Sequence, residues 1–159
     1  MLTRLSIRDI VLIDRLDIDF GRGLAALTGE TGAGKSILLD AFALALGARG
    51  EAALVREGAE HGQVIAAFDI GKDHPARRVL ADNELDSETG EDELIVRRVQ
   101  FADGRTRAFV NDQPVSVQVL RGLGTALVEI HGQHDERAFV DAATHRALLD
   151  AYGGNAAAA

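Results

Sequence analysis

Apolar and polar residues alternate near the start of the chain: Leu5 and Ile7, then Leu16, Ile18 and Phe20, with Asp17 and Asp19 between them. A period of two belongs to strands with one buried face, so this region predicts an antiparallel pair of half-buried strands. After the turn Gly21-Arg22-Gly23 the pattern becomes a continuous apolar run, LAALT over residues 24–28, which suits a strand covered on both faces. Helical spacing follows over residues 35–46, with Leu38, Leu39, Phe42, Ala45 and Leu46 on one side. The local order is strand, glycine-rich turn, helix.

Further along, VIAAFDI (64–70) predicts a strand and PARRVLADN (75–83) a short helix with proline in its first turn. LIVRRVQF and TRAFVND flank Ala102-Asp103-Gly104-Arg105, whose Asp-Gly pair predicts a tight hairpin over 94–112. Pro114 admits a helix through about Leu123. ALVEI (126–130) is another short buried-type strand, followed by the polar HGQHDE. A last helix is expected from Thr144, as N-cap, through Ala147, Leu148, Leu149 and Tyr152 to Gly153-Gly154. Strands of both kinds with helices between them define an α/β fold, a mixed sheet with an antiparallel flank. No internal repeat is evident.

The glycine-rich turn carries the chemistry. Gly29-Glu30-Thr31-Gly32-Ala33-Gly34-Lys35-Ser36 satisfies G-x-x-x-x-G-K-[ST], the phosphate-binding loop, between an apolar run and a helix as that pattern requires. Glycines let backbone N–H groups converge on phosphate oxygens without an intervening Cβ. The start of the helix adds unpaired N–H groups and the positive end of its dipole. Lys35 is placed to reach the β and γ phosphates and the Ser36 hydroxyl to ligate Mg²⁺, with the nucleotide-binding stretch running from Gly29 to Ile37. A GTPase would offer N-K-x-D, and the other lysine, Lys72 in GKDH, is not in one. No arginine-rich lid of a small-molecule kinase is recognisable.

Composition narrows the class further. At 159 residues the chain can bury roughly 70% of its unfolded surface, and it contains no cysteine, which excludes thiol chemistry and a disulfide framework. Charges interrupt the N-terminal MLTRLSIRDI, so neither a signal-peptide core nor a membrane span is expected and a cytoplasmic protein is. The formal charge of -8 argues against coating nucleic acid through bulk charge. Arg4, Arg8, Arg15, Arg22, Arg77, Arg78, Arg97, Arg98, Arg105 and Arg107 could make a local basic face, although Arg97 and Arg98 point to opposite sides of any strand. The acidic run over 82–93 is expected to be a solvated loop, or else an insertion that repels DNA from one face.

The residues LxxLxIRDIVLIDRLDIDFGRGLAALTGETGAGKSILLDAFALALGAR from Leu2 to Arg49, then LVREG at 54–58 and IHGQHD at 130–135, resemble the N-terminal half of an ATP-binding-cassette head of the SMC-like family. The resemblance covers residues 1–153, leaving 154–159 as a linker, the start of a coiled coil or an appended tail. It implies that Gln133 is the Q-loop glutamine, which completes the Mg²⁺ shell and senses the γ-phosphate. An amide oxygen suits a hard cation. Arg49 lies where such proteins place an arginine aimed at nucleotide or DNA, and a surface arginine at a helix end is the equal alternative. Arg8 and Asp9 lie where relatives have a polar or basic residue near the nucleotide, but the apolar 10–13 segment gives no basic phosphate contact here. His131, His134 and Asp135 form a weaker metal assignment, because no further ligand is identifiable. Glu129 is structural, since Ile130-His131 follow it where a Walker B strand would end in Asp-Glu.

The signature helix, Walker B pair and switch histidine of such heads are not recognisable here; in the family they lie in a C-terminal half beyond a long antiparallel coiled coil. The chain is therefore expected to be half of a head, binding ATP and Mg²⁺ but catalytically incomplete. The resemblance implies as partners that C-terminal half, a second head in an ATP-dependent dimer, and DNA ends in double-strand-break repair and recombination. A nucleotide-gated dimerisation module without turnover and a transporter nucleotide-binding subunit are the alternatives. The transporter is disfavoured because no aromatic residue precedes Phe20 to stack adenine.

Overall fold

The computed structural model describes residues 1–26, 28, 33–85 and 92–128. Six strands form one sheet in the order β2-β1-β3-β4-β5-β6. They are β1 (Leu2–Ile10), β2 (Ile13–Asp19), β3 (His61–Asp69), β4 (Glu93–Phe101), β5 (Thr106–Val110) and β6 (Gln113–Val115). The helices are α1 (Ala33–Ala45), α2 (Pro75–Asp82) and α3 (Val117–Leu127), with a 3-10 turn at Ala52–Leu54. Every strand pairing is antiparallel, so the described sheet is the expected antiparallel flank, and no parallel pair occurs among the described residues.

The period-two pattern determines which face closes. Leu5 and Ile7 of β1 stand opposite Ala66 and Val64 of β3, which stand opposite Val96 and Arg98 of β4. This inner face carries the core, into which α1 inserts Ile37, Ala41, Leu44 and Ala45 at helical spacing. α2 adds Ala76 and Leu80, and α3 adds Leu120 and Leu123. Each fully buried large side chain, such as Phe68 or Leu120, contributes about 1.5–3 kcal/mol.

Local chemistry sets the boundaries. The β4–β5 hairpin forms as expected: Gly104 takes φ +90°, and the Asp103 carboxylate accepts from the Arg105 backbone N–H at 3.0 Å. His74 caps α2, its Nδ1 accepting from the Ala76 N–H at 3.1 Å, and Pro75 occupies the first helical position. The acidic run is not wholly a solvated loop: Leu85 is buried in the core, and Asp92 pairs with Arg77 at 3.4 Å.

Three expectations are corrected. Pro114 does not start a helix: it lies in edge strand β6 opposite Phe109, where its missing N–H is tolerated, after a turn at Asn111-Asp112 with φ +45° and +65°. α3 begins after Ser116, whose hydroxyl accepts from the Val119 N–H. Ala126 and Leu127 belong to α3, not to a strand, because helical packing of Leu120 and Leu123 carries the segment on. Leu24, Ala25 and Ala26 form no strand, and Leu24 is fully exposed. A strand buried on both faces needs hydrogen-bonded neighbours and two covering layers, and no described strand borders this run. The expected helix from Thr144 lies outside the described residues.

Candidate phosphate-binding site

Of the nucleotide-binding stretch, the structure describes Gly34, Lys35, Ser36 and Ile37 and the backbone of Ala33, while Gly29, Glu30, Thr31 and Gly32 lie outside the described residues. Gly34, Lys35 and Ser36 occupy the exposed first turn of α1, and Ile37 turns inward to the core. Burial of Ile37, Ala41, Leu44 and Ala45 fixes the rotation of α1, and that rotation leaves Lys35 and Ser36 exposed. No acidic residue lies in this first turn, so nothing there offsets the positive end of the helix dipole. A lysine, a serine hydroxyl and helix N–H groups fit a Mg²⁺-bound polyphosphate.

Gln133 and the alternative residues Glu129, His131, His134 and Asp135 lie outside the described residues, so no geometry connects them to Lys35. Among the described residues no group of histidine, cysteine and carboxylate side chains could hold a metal ion. Arg49 follows the C-terminal end of α1 and is exposed.

The basic-face arginines divide sharply. Arg4 pairs with Asp19 at 2.7 Å, and Arg8 and Arg15 both reach Asp17, at 2.8 and 3.4 Å. Hydrogen bonds from Arg8 and Ser6 hold the Asp17 carboxyl down at about 2. Arg8 is thus committed to its own hairpin, donating also to the carbonyls of Ile7 and Leu16. Arg98 is withdrawn altogether, buried with Gln100 on the inner face. Its Nε donates to Thr106 Oγ1 at 2.6 Å, while among the described residues its Nη1 and the Gln100 Oε1 have no hydrogen-bond partner. Burial, helped by the like charge of Arg121, pushes the Arg98 pKa down. The alternation Leu94, Val96, Arg98, Gln100 placed both polar residues on the core face in the sequence itself.

The α/β unit with its glycine-lysine-serine helix start is of the P-loop class, and a family model described as AAA domain matches residues 4–141. The chain belongs to that family. It is 41% identical over 155 residues to the DNA repair protein RecN of Xylella fastidiosa (strain 9a5c), covering 98% of this chain and 27% of that protein. The DNA repair protein RecN of Vibrio cholerae is likewise 41% identical, over 98% of this chain and 28% of its own length. The chain therefore spans about a quarter of the length of the curated relatives it matches.

Solved structures agree on the fold. An Smc head domain from Pyrococcus furiosus, bound to the C-terminal domain of ScpA, superposes with TM-score 0.71 at 21% identity, over 96% of this chain and 42% of that one. A second structure, from work on ATP-driven dimerization and DNA-stimulated activation of SMC ATPases, gives TM-score 0.66 at 22% identity, over 94% and 97%. The fold is that of an SMC-type ATPase head with an antiparallel flank.

Proposed function

We propose that residues 1–153 are the ATP-binding half of an SMC-like ATPase head that acts in bacterial DNA double-strand-break repair and recombination. The observation that carries this is the phosphate-loop sequence ending in Gly34, Lys35 and Ser36 on an exposed helix start, in a chain 41% identical to RecN proteins. Gly29 to Ile37 would hold the triphosphate, with Lys35 neutralising its developing charge and Ser36 and Gln133 ligating Mg²⁺. Bound Mg²⁺ supplies charge neutralisation at the phosphates. This chain's own residues bind and orient the nucleotide.

Hydrolysis also needs a carboxylate that positions water, and the sequence offers no Walker B pair. In this reading a C-terminal half of the same head supplies it. The apolar cavity between β1, β2 and α1 supports an incomplete head. It measures about 160 Å³ and is lined by Leu2, Leu5, Ile18, Phe20, Leu38, Leu39 and Phe42. Two heads would then close on ATP and separate after hydrolysis, as the ATP-driven dimerization of the structurally similar SMC ATPase suggests. DNA ends are the proposed substrate and the cytoplasm the proposed compartment. Among the described residues no helix is long and apolar enough to cross a membrane.

Titration with a fluorescent ATP analogue tests the binding step. Lys35→Ala is expected to weaken binding about 10- to 100-fold, the loss of one charge-assisted contact, with no change in thermal stability. Unchanged affinity would overturn the site. Turnover by this chain alone at the rate of the full-length protein would overturn the split-head reading instead.

A further inference from the structure

All three helices pack on the inner face of the sheet, so the described residues leave its outer face open. The register places Phe101, Val99, Arg97 and Ile95 of β4 on that open face, beside Arg107 and Phe109 of β5. Arg97 lies over the Phe109 ring at 4.0 Å from its centroid. Arg105 and Arg107 lie at 5.2 and 5.7 Å from the Phe101 centroid. The exposed His61 ring also lies 5.7 Å from that of Phe101, centroid to centroid. The two phenylalanines are both half-buried under guanidinium groups and stand four residues apart in register, about 13 Å along the strands.

Carboxylates only partly offset these cations. Arg97 meets Asp112 at 3.3 Å and Arg105 meets Asp103 at 2.7 Å, both pairs at the surface, and among the described residues no ion pair involves Arg107. Exposed pairs of this kind are weak and exchangeable. The β1–β2 end of the same face has no aromatic side chain, and its acid Asp17 is held charged by Arg8. Cation and aromatic residues therefore coincide at the β4–β5 end of the open face, in a chain whose overall charge is negative.

We infer that the β4–β5 end of the open sheet face binds single-stranded DNA, with phosphates drawn to Arg97, Arg105 and Arg107 and bases stacking on Phe101 and Phe109. Planar guanidinium groups and aromatic faces on a flat sheet offer what an unpaired strand presents, phosphate charge and exposed base faces. Duplex DNA hides its base faces and would use the arginines alone. The inference rests on the DNA-repair reading above and specifies where on this chain DNA is held.

The test is fluorescence anisotropy of the full-length protein with a labelled oligo-dT of twenty nucleotides and with a twenty-base-pair duplex, across a salt series. Arg105→Ala with Arg107→Ala is expected to weaken oligo-dT binding at least 10-fold and to flatten the log K against log salt slope by about 1.4, the loss of two phosphate contacts to a single strand. Phe101→Leu is expected to weaken it about 5- to 150-fold without changing the slope. Arg4→Ala, at the β1–β2 end, leaves binding intact. Unchanged affinity in the double arginine variant overturns the inference while leaving the DNA-repair reading standing. Binding to duplex alone, insensitive to Phe101→Leu, also overturns it. If the wild-type protein binds neither probe, with or without ATP, the DNA-repair reading fails along with it.

Discussion

Arg98 and Leu24 invert the usual placing of charge and apolar surface, and they do so for opposite reasons. Arg98 is a cation sealed under the core face of β4, with Thr106 as its polar partner and Gln100 beside it. Its surroundings are closely packed, yet they leave its Nη1 without a hydrogen-bond partner among the described residues. The loop after α1 closes over this pair so tightly that Gly50 has no room for a side chain against the Gln100 amide. Leu24 is an apolar side chain standing fully in solvent, in a run whose pattern calls for burial on both faces. No described residue covers it. The first inversion belongs to the antiparallel flank, and the second is where the proposed split head would place a cover.

The two cases separate under substitution. Arg98→Met is expected to be neutral or to stabilise this chain, by up to about 4 kcal/mol, because an uncompensated buried charge is exchanged for an apolar side chain of similar length. Chemical denaturation measures it. A loss of several kcal/mol would show that the hydrogen bond to Thr106 outweighs the cost of burying the guanidinium.

Leu24→Ser should be silent in this chain, within about 0.5 kcal/mol, since the side chain is already exposed. In the full-length protein the same change is expected to cost about 1.5–3 kcal/mol, the burial of one leucine. Equal effects in the two proteins would remove the case for a missing cover. The smallest effect belongs to Asp17, where charge is placed conventionally on the surface. Its folded pKa of about 2 lies below the value of an unfolded aspartate, so its stabilising contribution is present above about pH 4 and is lost as pH falls toward 2. Asp17→Asn should lower stability slightly at neutral pH, where the contribution is present, and flatten the stability profile as pH falls from about 4 toward 2. A profile identical to wild type would place the acid sensitivity elsewhere, with Asp103, also lowered by its Arg105 contacts, the next residue to test.

The hairpins were legible because their information is local. The alternation of β1 and β2 and the Asp103-Gly104 turn each specify a conformation within a few residues. Pro114 misled because a proline that starts a helix and one on a sheet edge satisfy the same local rule, an N–H that no partner needs. Only the position of β6 at the end of the strand order distinguishes them. The phosphate loop is a proposal of the sequence, to which the structure adds that burial of Ile37 and Ala41 turns Lys35 and Ser36 outward.

By itself the sequence determined the strand faces and the hairpin turns, because side-chain period and turn conformation are properties of short segments. Tertiary structure alone decided which arginines remain available. Arg97 and Arg98 are neighbours in the chain, yet one lies over Phe109 on the open face and the other is sealed in the core. That outcome depends on which side of the sheet the helices cover, and every helix contributes to it.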